Sequence, residues 1–311
     1  MRFDPAHKGP GLKIRDVLAR GPADQLRSRL AAGEIILSID GTTVDPAMDL
    51  TRLLNGPSGR EIRLRVKSTA GAERDVTIRP TDYGSVGRLL YEQWIRANRA
   101  EVEKASKGTL GYLHIAGMDE PSLLRFEEEL YSAGAGKQGL VIDIRENGGG
   151  FTTDHLLTML TQPQHAITVP RGGKPGYPQD RKIYAAWNKP MVVICNQNCF
   201  SNAEIFSHAI KQLGRGKLVG VTTAGGVVST GAVTIMDVGV LRLPFRGWYV
   251  GNTGEDMELH GAVPDVEIWP EPGQLPAGRD VQLGKAIEVL QTEVKKWDAR
   301  PQPKLKKATE R

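Results

Sequence analysis

The sequence predicts two domains of different class: a small β-rich module of α+β type, followed by an α/β domain with a mainly parallel sheet. Three observations carry this. At 311 residues the chain is too long for one small core. Residues 9 to about 80 hold short alternating segments punctuated by glycine. From about residue 108 continuous apolar runs alternate with helical patterns, the texture of strands buried on both faces.

In the front module the alternating segments are "GLKIRDV", "EIILSIDG", "EIRLRVKS" and "RDVTIRP". Two intervening stretches, "GPADQLRSRL" and "DPAMDLTRLLN", have helical apolar spacing, each with a proline near a first turn. Residues 83–107 read as a mixed-charge linker helix. Beyond it, "GTLGYLHIAG", "GLVIDIREN", "PMVVICNQN" and "KLVGVTT" read as strands. "EPSLLRFEEELYSA", "FTTDHLLTMLT" and "SNAEIFSHAIKQL" read as the helices between them. The division expected is 1–82, linker 83–107, 108–295, and a basic tail 296–311 expected to be disordered.

Composition narrows the function classes. Hydrophobic residues at 40% and charged residues at 25% fit an ordinary soluble domain. No apolar run approaches the roughly 20 residues of a membrane helix. The N-terminal "MRFDPAHKGPG" lacks the apolar core of a signal peptide, so a cytoplasmic chain is expected. The net charge of +5 is spread among acidic residues, which argues against a nucleic-acid partner. Cys195 and Cys199 have no second pair to complete a zinc site and are expected as reduced thiols. With no HExxH and no GxxxxGK[ST], no metal or organic cofactor is expected.

Two strand ends stand out. "DIRENGGGF" ends a buried strand in Gly148, Gly149 and Gly150, and "CNQNCFSNAEIF" ends another in Ser201 at a helix start. Sites on parallel sheets form outside the carboxyl ends of the strands. A serine there lies near helix amides that favour developing negative charge. Glycines let backbone N–H groups turn toward a ligand. Together these would make a nucleophile and an oxyanion hole. Taken alone, Ser201 also fits an N-cap, with Glu204 completing a capping box, and the glycines fit a plain turn.

The phrase "GPADQLRSRLAAGEIILSIDGTTV" resembles a PDZ domain, a family that binds a peptide C-terminus as an added strand, here beside residues 9–12. The blocks "SKGTLGYLHIAGM", "GLVIDIRENGGGF", "SNAEIF", "GRGKLVGVTTAGGVV" and "HGAVPDVEI" resemble the tail-specific, C-terminal-processing serine protease superfamily, and its tricorn branch most. The resemblance runs in order from about residue 9 to 295 and implies a crotonase/Clp-like serine peptidase domain behind the PDZ module. It implies Ser201 as nucleophile and the Asn202 N–H as one oxyanion donor. Gly148, Gly149 and Gly150 would supply the other donor and pair with the substrate backbone, and Glu258 would be the carboxylate of the catalytic set. It also implies oligopeptide substrates and a homo-oligomer.

Two departures shape the expectation. Relatives with a serine–lysine dyad carry the lysine in a turn that here reads "TTAGGVV", with Gly226 at that position, so a Ser-Lys mechanism is disfavoured. The tricorn branch uses a histidine base from a helical subdomain ahead of the PDZ module, and none of His7, His114, His155, His165, His208 or His260 matches it. His208 lies seven residues beyond Ser201 on the same helix, about 10 Å along its axis. His260, close to Glu258, is the first substitute to test. The specificity position falls at Thr168, so a preference for basic side chains is not transferred. The expectation is a tricorn-type peptidase needing a histidine-bearing N-terminal segment. The rival readings are a catalytically silent peptide-binding module and a truncated fragment with exposed apolar surface.

Overall fold

The computed structural model describes the chain except residues 57–58, 174, 177–184, 307 and 310–311. It divides into two compact units, Met1–Ala97 and Asn98–Arg311.

The first unit is an antiparallel sheet in the order β1-β2-β3-β5-β6, with β4 on β3. The strands are β1 (Arg2–Phe3), β2 (Leu12–Asp16), β3 (Ile35–Ile39), β4 (Thr42–Thr43), β5 (Ile62–Lys67) and β6 (Glu73–Ile78). β5 shows why: in "IRLRVK" every second residue is buried, so Ile62, Leu64 and Val66 face the core while the charges face water. The two helices expected here shrink. "GPADQLRSRL" forms two 3-10 turns, Pro22–Asp24 and Leu26–Ser28, separated by Gln25 in extended conformation. In "DPAMDLTRLLN" only α1 (Thr51–Leu54) is helical. There the Asp45 and Asp49 carboxylates accept from the N–H groups of Ala47 and Thr51, turns that compete with helical bonding. The helix read as the linker forms as α2 (Tyr83–Ala105), opened by the Asp82 carboxylate on Ser85 N–H at 2.7 Å.

The second unit is built on a parallel sheet in the order β13-β10-β9-β8-β7. Its strands are β7 (Leu110–His114), β8 (Gly139–Asp143), β9 (Met191–Cys195), β10 (Lys217–Gly220) and β13 (Val266–Glu267). Every residue of β7, β8 and β9 is buried, as a sheet covered on both faces requires. Around it lie α3 (Glu120–Ser132), α4 (Thr153–Leu160), α5 (Asn202–Gln212) and α6 (Val281–Asp298). A two-stranded hairpin, β11 (Ser229–Ile235) and β12 (Gly239–Arg246), stands off the sheet. Neither the hairpin nor α6 is among the elements read from the sequence. α6 runs on to Asp298, into the span expected as tail, and residues 307 and 310–311 of that span lie outside the described residues.

The register pairs Asp143 with Ile194, so β8 and β9 end side by side. The two unusual strand ends of the sequence are therefore neighbours. Among the described residues no helix is long and apolar enough to cross a membrane.

Candidate active site

β9 leads through residues 196–200 into α5, and Ser201 occupies the bend. Its backbone is at φ 57° and ψ −120°, a region that L-residues other than glycine rarely adopt. Ser201 is half-buried, and no described hydrogen bond joins its hydroxyl to a histidine.

Glu204 holds this bend. Its carboxylate is fully buried and accepts from Ser201 N–H at 3.1 Å, Gly226 N–H at 2.8 Å, Thr223 Oγ1 at 2.6 Å, and Gly225 N–H. From sequence Glu204 fits half of a capping box. Folded, it also ties the serine turn to the loop at 223–226. Ser201 N–H is shared with the Gly226 carbonyl at 3.1 Å. A Cβ on Gly226 would fall 2.3 Å from the Phe200 ring, so that ring fills the space beside the position where dyad relatives carry lysine.

The glycine turn lies directly against the serine. A Cβ on Gly149 would sit 2.7 Å from Ser201 Cβ and 3.0 Å from Asn202 N, and Gly149 has φ 93°. Only glycine permits that approach. Asn147, wholly buried, pins the turn: its side chain donates to Ile115 O and accepts from Gly149 N–H, each at 2.9 Å. Its carbonyl accepts from Phe200 N–H at 3.0 Å. Asn147 is absent from the residues singled out by sequence, and its signal was only adjacency to the glycines. Both polar groups of Gly149 are engaged, since its carbonyl accepts from Met118 N–H at 2.9 Å. The Gly148 and Gly150 N–H groups have no described acceptor, and neither has the Asn202 N–H at the first position of α5. Asn202 is further fixed by Thr153, whose N–H and hydroxyl bond its side chain and its carbonyl at 3.0 and 2.7 Å.

Glu258 joins through the same loop. Its Oε2 accepts from Val227 N–H at 2.7 Å and Val228 N–H at 2.8 Å, and Leu259 N–H bonds Gly225 O at 2.8 Å. One loop, 223–228, thus bonds both the serine turn and Glu258. The histidines engage elsewhere. His260 contacts Asp256 O at 2.9 Å, His208 contacts His260 O at 3.1 Å, and His7 contacts Pro10 O. His114 is buried against Arg145 O, and burial lowers its pKa. Cys195 and Cys199 are free and buried, and burial pushes the Cys199 thiol up to about 12, far from a reactive thiolate. Thr168 pairs with Gly176 in an isolated bridge.

Sheet, bend and the close approach of Gly149 to Ser201 define the class: an α/β domain bearing a serine in a strained turn at the carboxyl edge of a parallel sheet. Residues 109–268 match peptidase family S41, and residues 14–82 match the tricorn protease PDZ domain. The chain belongs to peptidase family S41 and fits its tricorn branch. It is 33% identical over 290 residues to "Tricorn protease homolog 1" of Streptomyces coelicolor, covering 92% of this chain and 26% of that protein. It is 34% identical over 268 residues to "Tricorn protease" of Thermoplasma acidophilum, covering 86% of this chain and 24% of that protein. The crystal structure of the tricorn protease superposes with a TM-score of 0.73 at 32% identity, covering 91% of this chain and 27% of that one. The chain thus spans about a quarter of the length of these relatives.

Proposed function

We propose that the chain is the PDZ and catalytic part of a tricorn-type serine peptidase that cleaves oligopeptides in the cytoplasm. Residues 1–82 would bind peptide, 108–295 would hold the chemistry, and 83–107 would join them. The observation that carries this is the strained turn of Ser201 packed against Gly149. A helix cap needs neither the strain nor the glycine contact.

In this reading Ser201 Oγ attacks the scissile carbonyl, and its proton passes to a histidine base. The new oxyanion sits between Asn202 N–H and the Gly148 or Gly150 N–H. The C–N bond breaks, the amine leaves with the proton from the histidine, and an ester on Ser201 remains. Water then adds to the ester, and its proton passes through the histidine back to Ser201 Oγ as the acid departs. Glu258 Oε2 is held by Val227 and Val228, and no partner is described for Oε1, which would orient the incoming imidazole. The base is proposed to come from a histidine-bearing segment ahead of the PDZ module.

The test is hydrolysis of a fluorogenic oligopeptide panel by the chain and by Ser201→Ala, each alone and with a separately made histidine-bearing segment. Turnover that needs the segment and is lost in Ser201→Ala supports the reading. Turnover by the chain alone would move the base to His260. A second reading is a silent peptide-binding module, favoured by the lack of a described histidine bond to Ser201. It predicts no turnover in either arm, with peptide binding unchanged in Ser201→Ala.

A further inference from the structure

A cleft of about 880 Å³, within the range of small-ligand sites, opens at the amino ends of β9 and β10, the edge of the sheet away from Ser201. Its walls are the end of α4, the end of α5 with the turn that follows, and the last turns of α6, all within the second unit. Six cationic residues line it, Lys189, Lys211, Arg215, Lys217, Lys296 and Arg300, against two carboxylates. Both carboxylates are taken: Asp265 pairs with Lys217 at 3.4 Å and Glu293 with Lys296 at 2.8 Å.

The other four cations have backbone carbonyls as their described partners. Lys189 donates to Lys137 O at 2.6 Å, Lys211 to Val263 O, and Arg300 Nη1 to Trp297 O at 2.6 Å. Arg215 is half-buried. Its Nε donates to Leu160 O, and its Nη2 to Trp187 O at 2.6 Å and Lys189 O at 3.0 Å. Its Nη1 has no described acceptor and is not sealed from solvent. Burial with no carboxylate beside it lowers the Arg215 pKa to about 10. The Arg300 guanidinium lies 3.4 Å over the Trp297 ring, and its Nε and Nη2 are likewise without a described acceptor.

Helix ends account for part of this charge. α4, α5 and α6 all finish at the cleft, and each C-terminus carries about half a negative charge. Three such ends offset about one and a half of the four unpaired charges. Capping explains Nε and Nη2 of Arg215 and leaves Nη1 unused. About two and a half positive charges remain focused on one concave surface.

We propose that this cleft binds a small polyanion, a ligand carrying two or more clustered phosphate or carboxylate groups. Arg215 Nη1 and the Arg300 guanidinium would take its oxygens, the geometry in which arginine recognises such groups. One negative charge would leave the excess uncompensated, so the ligand carries at least two. The site is separate from the peptide chemistry: α5 begins beside Ser201 and ends before Arg215, about 16 Å along its axis.

The experiment is isothermal titration calorimetry of the chain with inorganic tripolyphosphate and, separately, with citrate. It is run at about 0.15 M salt, where attraction between distant exposed charges is largely screened. The expected result is saturable binding of one ligand per chain, the tighter of the two showing whether the site prefers phosphate or carboxylate. Arg300→Glu should weaken it by about tenfold or more. Arg242→Glu makes the same charge change on β12, away from the cleft, and should leave it within about twofold. Arg215→Gln should abolish binding. Because Arg215 also ties three carbonyls, Arg300→Glu decides the case if that variant fails to fold by circular dichroism. Absence of saturable binding by either polyanion overturns the proposal. So does binding indifferent to Arg300→Glu, or weakened equally by Arg242→Glu, which would mark diffuse attraction to a basic chain. The readout is binding heat without turnover, so the outcome is independent of the chemistry proposed for Ser201.

Discussion

Ser201 holds a backbone conformation that costs about 1–3 kcal/mol in a non-glycine residue. It persists because the Glu204 carboxylate takes four hydrogen bonds across the turn and the 223–226 loop. Four predictions belong at this scale. Ser201→Gly should be more stable than Ser201→Ala by about 1 kcal/mol in urea unfolding, since only glycine relaxes at φ 57°; equal stability would mean the turn is not strained. Gly149→Ala should cost about 3 kcal/mol or more, because its Cβ meets Phe200 O at 2.6 Å and Ser201 Cβ at 2.7 Å. Gly148→Ala, where nothing lies within 4 Å, should cost less than about 1 kcal/mol. Glu204→Gln should cost about 2–3 kcal/mol and slow labelling of Ser201 by a serine-reactive phosphonate. An amide NH₂ would face donors where the carboxylate accepted. Ser201 and the glycines were legible in sequence because they punctuate strand ends. Glu204 was legible only as the partner of Ser201 in a capping box, and its bonds to the 223–226 loop and the role of Asn147 were not, because those partners come from other loops.

Among the elements, the end of β8 is fastened to the start of α6 by ions. Arg145 bonds the wholly buried Asp143, and also Asp280 at 3.0 Å and Gln282 at 3.2 Å. Asp280 caps α6 by accepting from Leu283 N–H. Tyr112 OH, on β7, donates to Asp143 at 2.9 Å. Burial pushes the Asp143 carboxyl up, and the Arg145 charge and hydrogen bonds more than offset it, so its pKa lies below the ordinary range. A depressed carboxylate contributes stability above its unfolded pKa of about 4, and that stability is lost as pH falls through the folded value. Arg145→Ala should cost about 3–5 kcal/mol near neutral pH by leaving a buried charge unpaired. It should also reverse the trend: with the pKa now raised by burial, the variant should gain relative stability on acidification toward about pH 4. Urea midpoints of both proteins over that range check it, and parallel curves would mean Asp143 does not depend on Arg145. The buried strands could be read from their apolar runs. The two short helices of the first unit were over-read: Gln25 is extended and splits the first, and Asp45 and Asp49 bond their own loop in the second.

For the whole molecule, the proposed chemistry joins this chain to residues outside it. A phosphonate should label Ser201 more than about tenfold faster when a histidine-bearing segment is added, since a general base contributes about a hundredfold or more to such attack. Unchanged labelling would favour the silent module. What the sequence by itself determined was the alternation of strands β7 to β10 with helices α3 to α5, the class of sheet, and the serine and glycines at adjoining strand ends. These depend on local periodicity and on residues with singular backbone freedom, both written within a few positions. Only the tertiary structure decided that Gly149 touches Ser201 and that Glu204 and Glu258 brace one loop. Those depend on contacts between residues tens of positions apart, where a carboxylate's partners are set by which loops the sheet brings together.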